Sequence, residues 1–133
     1  MAYEISFDYL PSGVDMNSPS RWGKRHRRST SIHGEIQKMV DKRADLPKEP
    51  MTAVEIHFTF YVPNLIQRDT ENIRASMKPH IDGLVKAGVL AGDSIKHIYR
   101  EVHDWELRRG QPGVRLIIAE SSEQCEGFSS NAY

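Results

Sequence analysis

Apolar and polar residues alternate along four stretches of the chain, and two further stretches carry apolar residues at helical spacing. Tyr3, Ile5, Phe7 and Tyr9 are interleaved with Glu4, Ser6 and Asp8, the period-two pattern of a half-buried strand. Val54, Ile56, Phe58 and Phe60 alternate with Glu55, His57 and Thr59, which predicts a second strand to Tyr61 before Pro63 and Asn64 end it. Ile95–Trp105 and Gly113–Glu120 read as two more strands. The stretch LRRGQPG between them has the length of an antiparallel hairpin with a long loop. Ile32, Ile36, Met39 and Val40 mark one face of a helix that Asp45-Leu46-Pro47 closes. Ile73, Met77, Ile81, Leu84 and Val85 form the stripe of another helix, starting near Asn72. Pro79 inside that stripe predicts a kink or a break, because proline lacks a backbone donor and crowds the preceding turn. Gly88 and Gly92 bracket a short apolar turn.

The order is β-α-β-α-β-β, which predicts an α+β domain with two main helices on a small mixed four-stranded sheet. At 133 residues a single domain is expected. It spans residues 1–120, and the polar, acidic stretch 121–133 is expected to be a flexible tail. No apolar run approaches the roughly 18–20 residues that cross a bilayer, and no signal-peptide core follows Met1, so no membrane partner is expected. Cys125 is the one cysteine, which excludes an internal disulfide and a thiolate zinc cluster. A reducing, cytoplasmic setting is therefore expected. No phosphate-binding GxxxxGK[ST] loop and no HExxH spacing occur, and a zinc pair of His97 and His103 on one strand face is disfavoured.

Charge is balanced overall, with 18 Lys and Arg against 18 Asp and Glu, but unevenly distributed. Residues 21–49 carry nine basic and four acidic side chains. Within them Arg21, Lys24, Arg25, Arg27 and Arg28 put five cations into eight residues, with Trp22 among them, a composition suited to gripping DNA phosphates without regard to sequence. Arg108 and Arg109 are candidates to extend that surface.

The remaining chemistry is concentrated between Arg68 and Ser94. Asp69 and Glu71 lie two apart, so they share a face only if the chain there stays extended. Asp93 opens the next strand region and is a candidate to reach the same point. Carboxylates that converge repel one another unless a cation lies between them, and hard oxygen donors select Mg²⁺ or Mn²⁺. Such a site activates water and stabilises the leaving oxygen of a phosphodiester, and Lys78 would add positive charge where the transition state gains negative charge. The plain alternative is a solvated loop with acids near a helix N-terminus.

The string Asp69-x-Glu71-Asn72, Lys78-x-x-x-Asp82-Gly83-Leu84, Gly88-Val89-Leu90 and Asp93-Ser94 resembles the RusA family of Holliday-junction resolvases, small dimeric endodeoxyribonucleases common in phages and prophages. The resemblance is strongest from Arg68 to Ser94 and extends weakly over residues 3–120. It implies a RusA-like fold, with Asp69, Glu71 and Asp93 as metal-binding carboxylates, Lys78 as the catalytic lysine, and Asn72 and Asp82 in support. It also implies a homodimer acting on branched double-stranded DNA in recombination and repair, in a bacterial or phage-infected cell. Three departures stand out. Glu71 occupies a usual Asp position, adding about 1.5 Å of reach. Gly92 occupies another Asp position. The spacing from Asn72 to Lys78 is three residues longer than in the shortest members, close to one helical turn. The alternative to a Mg²⁺-dependent nuclease is a DNA-binding module of the same fold whose catalytic site has drifted. A protein-interaction domain with solvated acids ranks third.

Overall fold

The computed structural model describes residues 2–11 and 22–120, for residues 22–28 the backbone alone. Four strands, β1 (Ala2–Phe7), β2 (Val54–Val62), β3 (Ile98–Leu107) and β4 (Gly113–Glu120), form one mixed sheet in the order β1-β4-β2-β3. Helix α1 (Trp22–Lys42) connects β1 to β2, and α2 (Thr70–Ala75) with α3 (Lys78–Lys86) connects β2 to β3. The α+β class and the four-stranded mixed sheet agree with the sequence pattern. Among the described residues no helix is long and apolar enough to cross a membrane. Arg21 and the expected tail 121–133 lie outside the described residues.

Alternation along each strand translates into continuous rows across one sheet face. Phe7 pairs with Val114 and Val114 with Phe60, while Ile5 pairs with Leu116 and Leu116 with Phe58. All six side chains are buried, together with Ile56 and Ile118. Burial of a large aliphatic or aromatic side chain stabilises a fold by about 1.5–3 kcal/mol, so these rows anchor the domain. Helices α1 and α3 close over them. Ile36 of α1 is fully buried, and a Cβ built on Gly83 of α3 would lie 2.9 Å from its Cδ1. Glycine at position 83 is therefore a packing requirement.

The expected break at Pro79 is present. Helix α2 ends at Ala75 with Ser76 as its C-cap, and α3 begins at Lys78 with Pro79 in its first turn, where a missing N–H costs no intrahelical bond. Ser76 is buried at the joint, with its hydroxyl donating to the Asn72 carbonyl at 2.7 Å.

The expected hairpin is not formed, because β2 lies between β3 and β4. β4 is antiparallel to both β1 and β2, whereas β3 runs parallel to β2 at the sheet edge. The physical reason lies in the inner faces. Val114, Leu116 and Ile118 of β4 are all buried and need an apolar neighbour on each side. β3 offers Ile98 and then Glu101, His103 and Trp105, a set suited to an edge. A register shift between Val54 and Glu55 admits one extra β3 residue, placing Ile98 and Glu101 on the same face. The connection from β3 to β4 crosses the end of β2, with the Arg108 amide donating to the Val62 carbonyl at 2.8 Å. Gly110 takes φ +70° there, a left-handed turn that glycine adopts without a Cβ clash.

Tyr9 lies beyond β1, where strand pairing has ended, and joins a buried polar pair. Its hydroxyl is 2.9 Å from His80 Nε2, and His80 Nδ1 is 3.2 Å from the Ser76 carbonyl. A carbonyl only accepts, so Nδ1 carries the proton and Tyr9 donates to Nε2. Burial lowers the His80 pKa to about 4, and burial with the nearby Glu35 carboxylate raises that of Tyr9 to about 12.

Two outcomes follow from this packing. Gly83→Val forces α1 away from α3 and should lower stability by about 1–3 kcal/mol in urea denaturation. Between pH 6.5 and about 4 the unfolded chain binds a proton at residue 80 that the folded chain excludes. Stability should therefore fall as pH drops through that window, by up to about 3 kcal/mol from this histidine, and level off below it. Denaturation at a series of pH values should show that slope reduced in His80→Gln.

Candidate functional site

Lys78, Asp82 and Asp93 come together at the start of α3. The Lys78 Nζ lies 3.3 Å from Asp93 Oδ2 and 3.6 Å from Asp82 Oδ1, one helical turn along. Their proximity raises the Lys78 pKa, chiefly through the hydrogen bond to Asp93 and then the Asp82 charge. The Asp93 pKa is lowered, chiefly by the same bond to Lys78. Lys78 and Asp93 are exposed and Asp82 is half-buried, and ion pairs open to solvent contribute little stability. Their consequence is placement: a permanently charged ammonium is held between two carboxylates at the wall of a cleft.

Three main-chain anchors place Asp93. The Met51 amide donates to the Val89 carbonyl and the Ala91 amide to the Met51 carbonyl, both at 2.9 Å, which ties the segment before β2 to the end of the α3 turn. After Asp93, the amides of His97 and Ile98 both donate to the Ser94 carbonyl. Only Gly92 and Asp93 lie between these fixed points. A Cβ on Gly92 would meet the His97 ring at 2.5 Å, and that ring is tethered by its Nδ1–H to the Thr52 carbonyl at 2.7 Å. A side chain at position 92 would therefore have to push the His97 ring aside. His97 precedes β3 and shares no strand face with His103.

Asp69 is placed by a braced loop. The Arg68 guanidinium donates to the carbonyls of Asn64 and Ile66 and to Asn64 Oδ1, fixing the chain that leads into α2. Asp69 is the N-cap of α2, with ψ 113° and Oδ1 accepting from the amides of Glu71 at 2.9 Å and Asn72 at 3.4 Å. The extended chain therefore ends at Asp69, and Glu71 lies on the first helical turn. The shared extended face that the spacing required for these two acids is not formed, because capping by Asp69 starts the helix first. Asn72, half-buried, supports the α2–α3 joint through its carbonyl.

Among the described residues no three His, Cys, Asp or Glu side chains gather as a metal-binding group. The donor set suits a hard divalent cation in kind, since Asp69, Glu71, Asp82 and Asp93 supply only carboxylate oxygens. It is not gathered: one Asp69 oxygen serves the α2 amides, and Asp93 faces Lys78.

The cleft beside Lys78 has a volume of about 170 Å³. Arg74, Glu101 and His103 join Lys78, Asp82 and Asp93 in its lining. Sequence reasoning missed Arg74, Glu101 and His103. A signal existed for the last two: on β3 they occupy the inward positions that carry Ile and Phe on β2. Lys24, Arg25, Arg27 and Arg28 fall within the first two turns of α1, and their side chains lie outside the described residues with Arg21. Neither a scan against protein-family models nor a search of curated proteins returned a match.

The capping role of Asp69 is separable from its charge by substitution. Asn caps helices as well as Asp does, so Asp69→Asn should keep thermal stability while Asp69→Ala loses about 1 kcal/mol. Introducing an acid with Gly92→Asp should displace the His97 ring and cost about 1–3 kcal/mol in the same assay.

Proposed function

We propose that this chain is a divalent-cation-dependent endodeoxyribonuclease of the RusA type, cutting four-way junctions and related branched DNA. The observation that carries the reading is the convergence of Lys78, Asp82 and Asp93, with Asp93 brought from fifteen residues away, at a cleft that also holds Arg74. It also falls wholly within the Arg68–Ser94 stretch that carries the resemblance.

Each residue has a task in this reading. Lys78, an ammonium held in place by its two carboxylates, steadies negative charge on the phosphate in the transition state. Asp82 and Asp93 orient that ammonium. Asp69, Glu71 and Asp93 are the residues that would hold Mg²⁺ or Mn²⁺. The ion's contribution would be to activate water and neutralise the leaving oxygen. The basic start of α1, from Arg21 to Arg28, grips backbone phosphates, and Arg108 and Arg109 are candidates to extend that grip. A homodimer with two sites related by two-fold symmetry matches the near two-fold symmetry of a four-way junction.

A second reading, a DNA-binding module that no longer cuts, is favoured by the ungathered carboxylates. One experiment separates the two. A synthetic four-way junction is incubated with the protein, with and without Mg²⁺, and resolved on a denaturing gel. Paired nicks that require the cation and vanish in Asp69→Asn and Lys78→Ala are the expected outcome. A junction that is bound but uncut in both Mg²⁺ and Mn²⁺ overturns the nuclease and leaves the binding module.

A further inference from the structure

The inward-facing rows of the sheet end on β3 in two aromatic rings rather than in aliphatic side chains. His103 pairs with Phe58 and stacks on it, with ring centroids 4.8 Å apart and planes 4° from parallel. Trp105 pairs with Phe60 and stacks on that ring at 4.6 Å and 22°. Phe58 and Phe60 are fully buried, yet Trp105 is 37% exposed. Each edge ring thus has one side supported by the rigid core, and Trp105 keeps a large part of its surface in water. His103, next but one to Trp105 on β3, lines the cleft that holds Arg74 and Lys78 together with Asp82, Asp93 and Glu101, and of its two cations Lys78 is paired to Asp82 and Asp93. Burial lowers the His103 pKa, so its ring is predominantly neutral at pH 7. Glu101, the acid next to His103 at 3.9 Å, can accept from a base amino group.

We propose that Trp105 and His103 form a stacking platform for an unpaired nucleobase, with its strand running toward Arg74 and Lys78. The combination of aromatic faces and neighbouring cations is what single-stranded nucleic acid requires, since every base has a π-face and every linkage a negative charge. A base inside an intact duplex has both faces covered by its neighbours. The platform therefore selects DNA with a base outside the stack, as at a branch point or a frayed end. This inference rests on the DNA reading above and names the feature of the substrate that the site engages.

Intrinsic fluorescence provides the test. The chain has two tryptophans, so Trp22→Phe leaves Trp105 as the sole reporter. That protein is titrated with a short mixed-sequence single strand, and separately with the same strand annealed to its complement. The single strand should quench the emission strongly, and the duplex weakly. In a polarisation assay with labelled strands, Trp105→Ala should bind the single strand roughly tenfold more weakly, as expected when one base–aromatic stack is lost. Trp105→Phe should stay within about threefold of the parent because it retains a ring, and it guards against a general loss of fold. Equal quenching by both DNA forms, or unchanged binding by Trp105→Ala, overturns the platform. If the junction is still cut in either of those cases, the nuclease reading survives. Absence of binding to every DNA form overturns both. A concentration-dependent change in emission without DNA would assign the exposed indole to contact between copies, and likewise overturns the platform.

Discussion

The inner face of β4 is the constraint on which the rest of this structure depends. Val114, Leu116 and Ile118 cannot remain in water, and a single neighbouring strand would leave one flank of each uncovered. Placing β4 between β1 and β2 covers both flanks and sends β3 to the far side of β2. Helices α1 and α3 then have one continuous apolar surface to cover. Their separation is set by the contact of Ile36 with Gly83. The seat of α3 follows, and with it the position of Lys78 and Asp82.

The residues of the candidate site gather where this core runs out. Among the described residues, the β3 edge is where polar side chains and a partly exposed indole follow the buried apolar ones of the inner face, and α3 begins beside it. The turn from α3 into β3, tied down at Met51 and Ser94, delivers Asp93 to Lys78. A cleft at the margin of a rigid sheet has firm walls and access to a large ligand. Its charges are mostly solvated, so their value lies in the field they present rather than in the stability they add.

Strand and helix existence was legible because alternation and the helical stripe record the same burial that the fold achieves. Ile5, Phe7, Ile56, Phe58, Phe60, Leu116 and Ile118 lie on the inner face as their spacing predicts. The break before Pro79 was legible for a covalent reason. Strand neighbours were not. A short connection between Leu107 and Gly113 suits a hairpin, but local length does not count how many flanks an apolar strand must cover. Asp69 is a case of competing roles: its spacing from Glu71 suggests a shared ligand face, whereas its position ahead of α2 makes it a cap. Capping needs only the adjacent amides, whereas a shared face needs the backbone to stay extended against the helix that follows.

By itself the sequence determined the α+β class, the inward and outward faces of its strands, the division of the second helical region, and the acids, lysine and cations from which a site can be built. Those properties are set by neighbours within a few positions, through backbone geometry and the periodicity of burial. Tertiary structure alone decided that β2 separates β3 from β4, that Lys78 meets Asp82 and Asp93 while Asp69 serves α2, that Gly92 faces the His97 ring, and that Trp105 and His103 end the aromatic rows at an open edge. Each of these depends on chain segments far apart in sequence competing for the same limited contact surface, and only the packed fold resolves that competition.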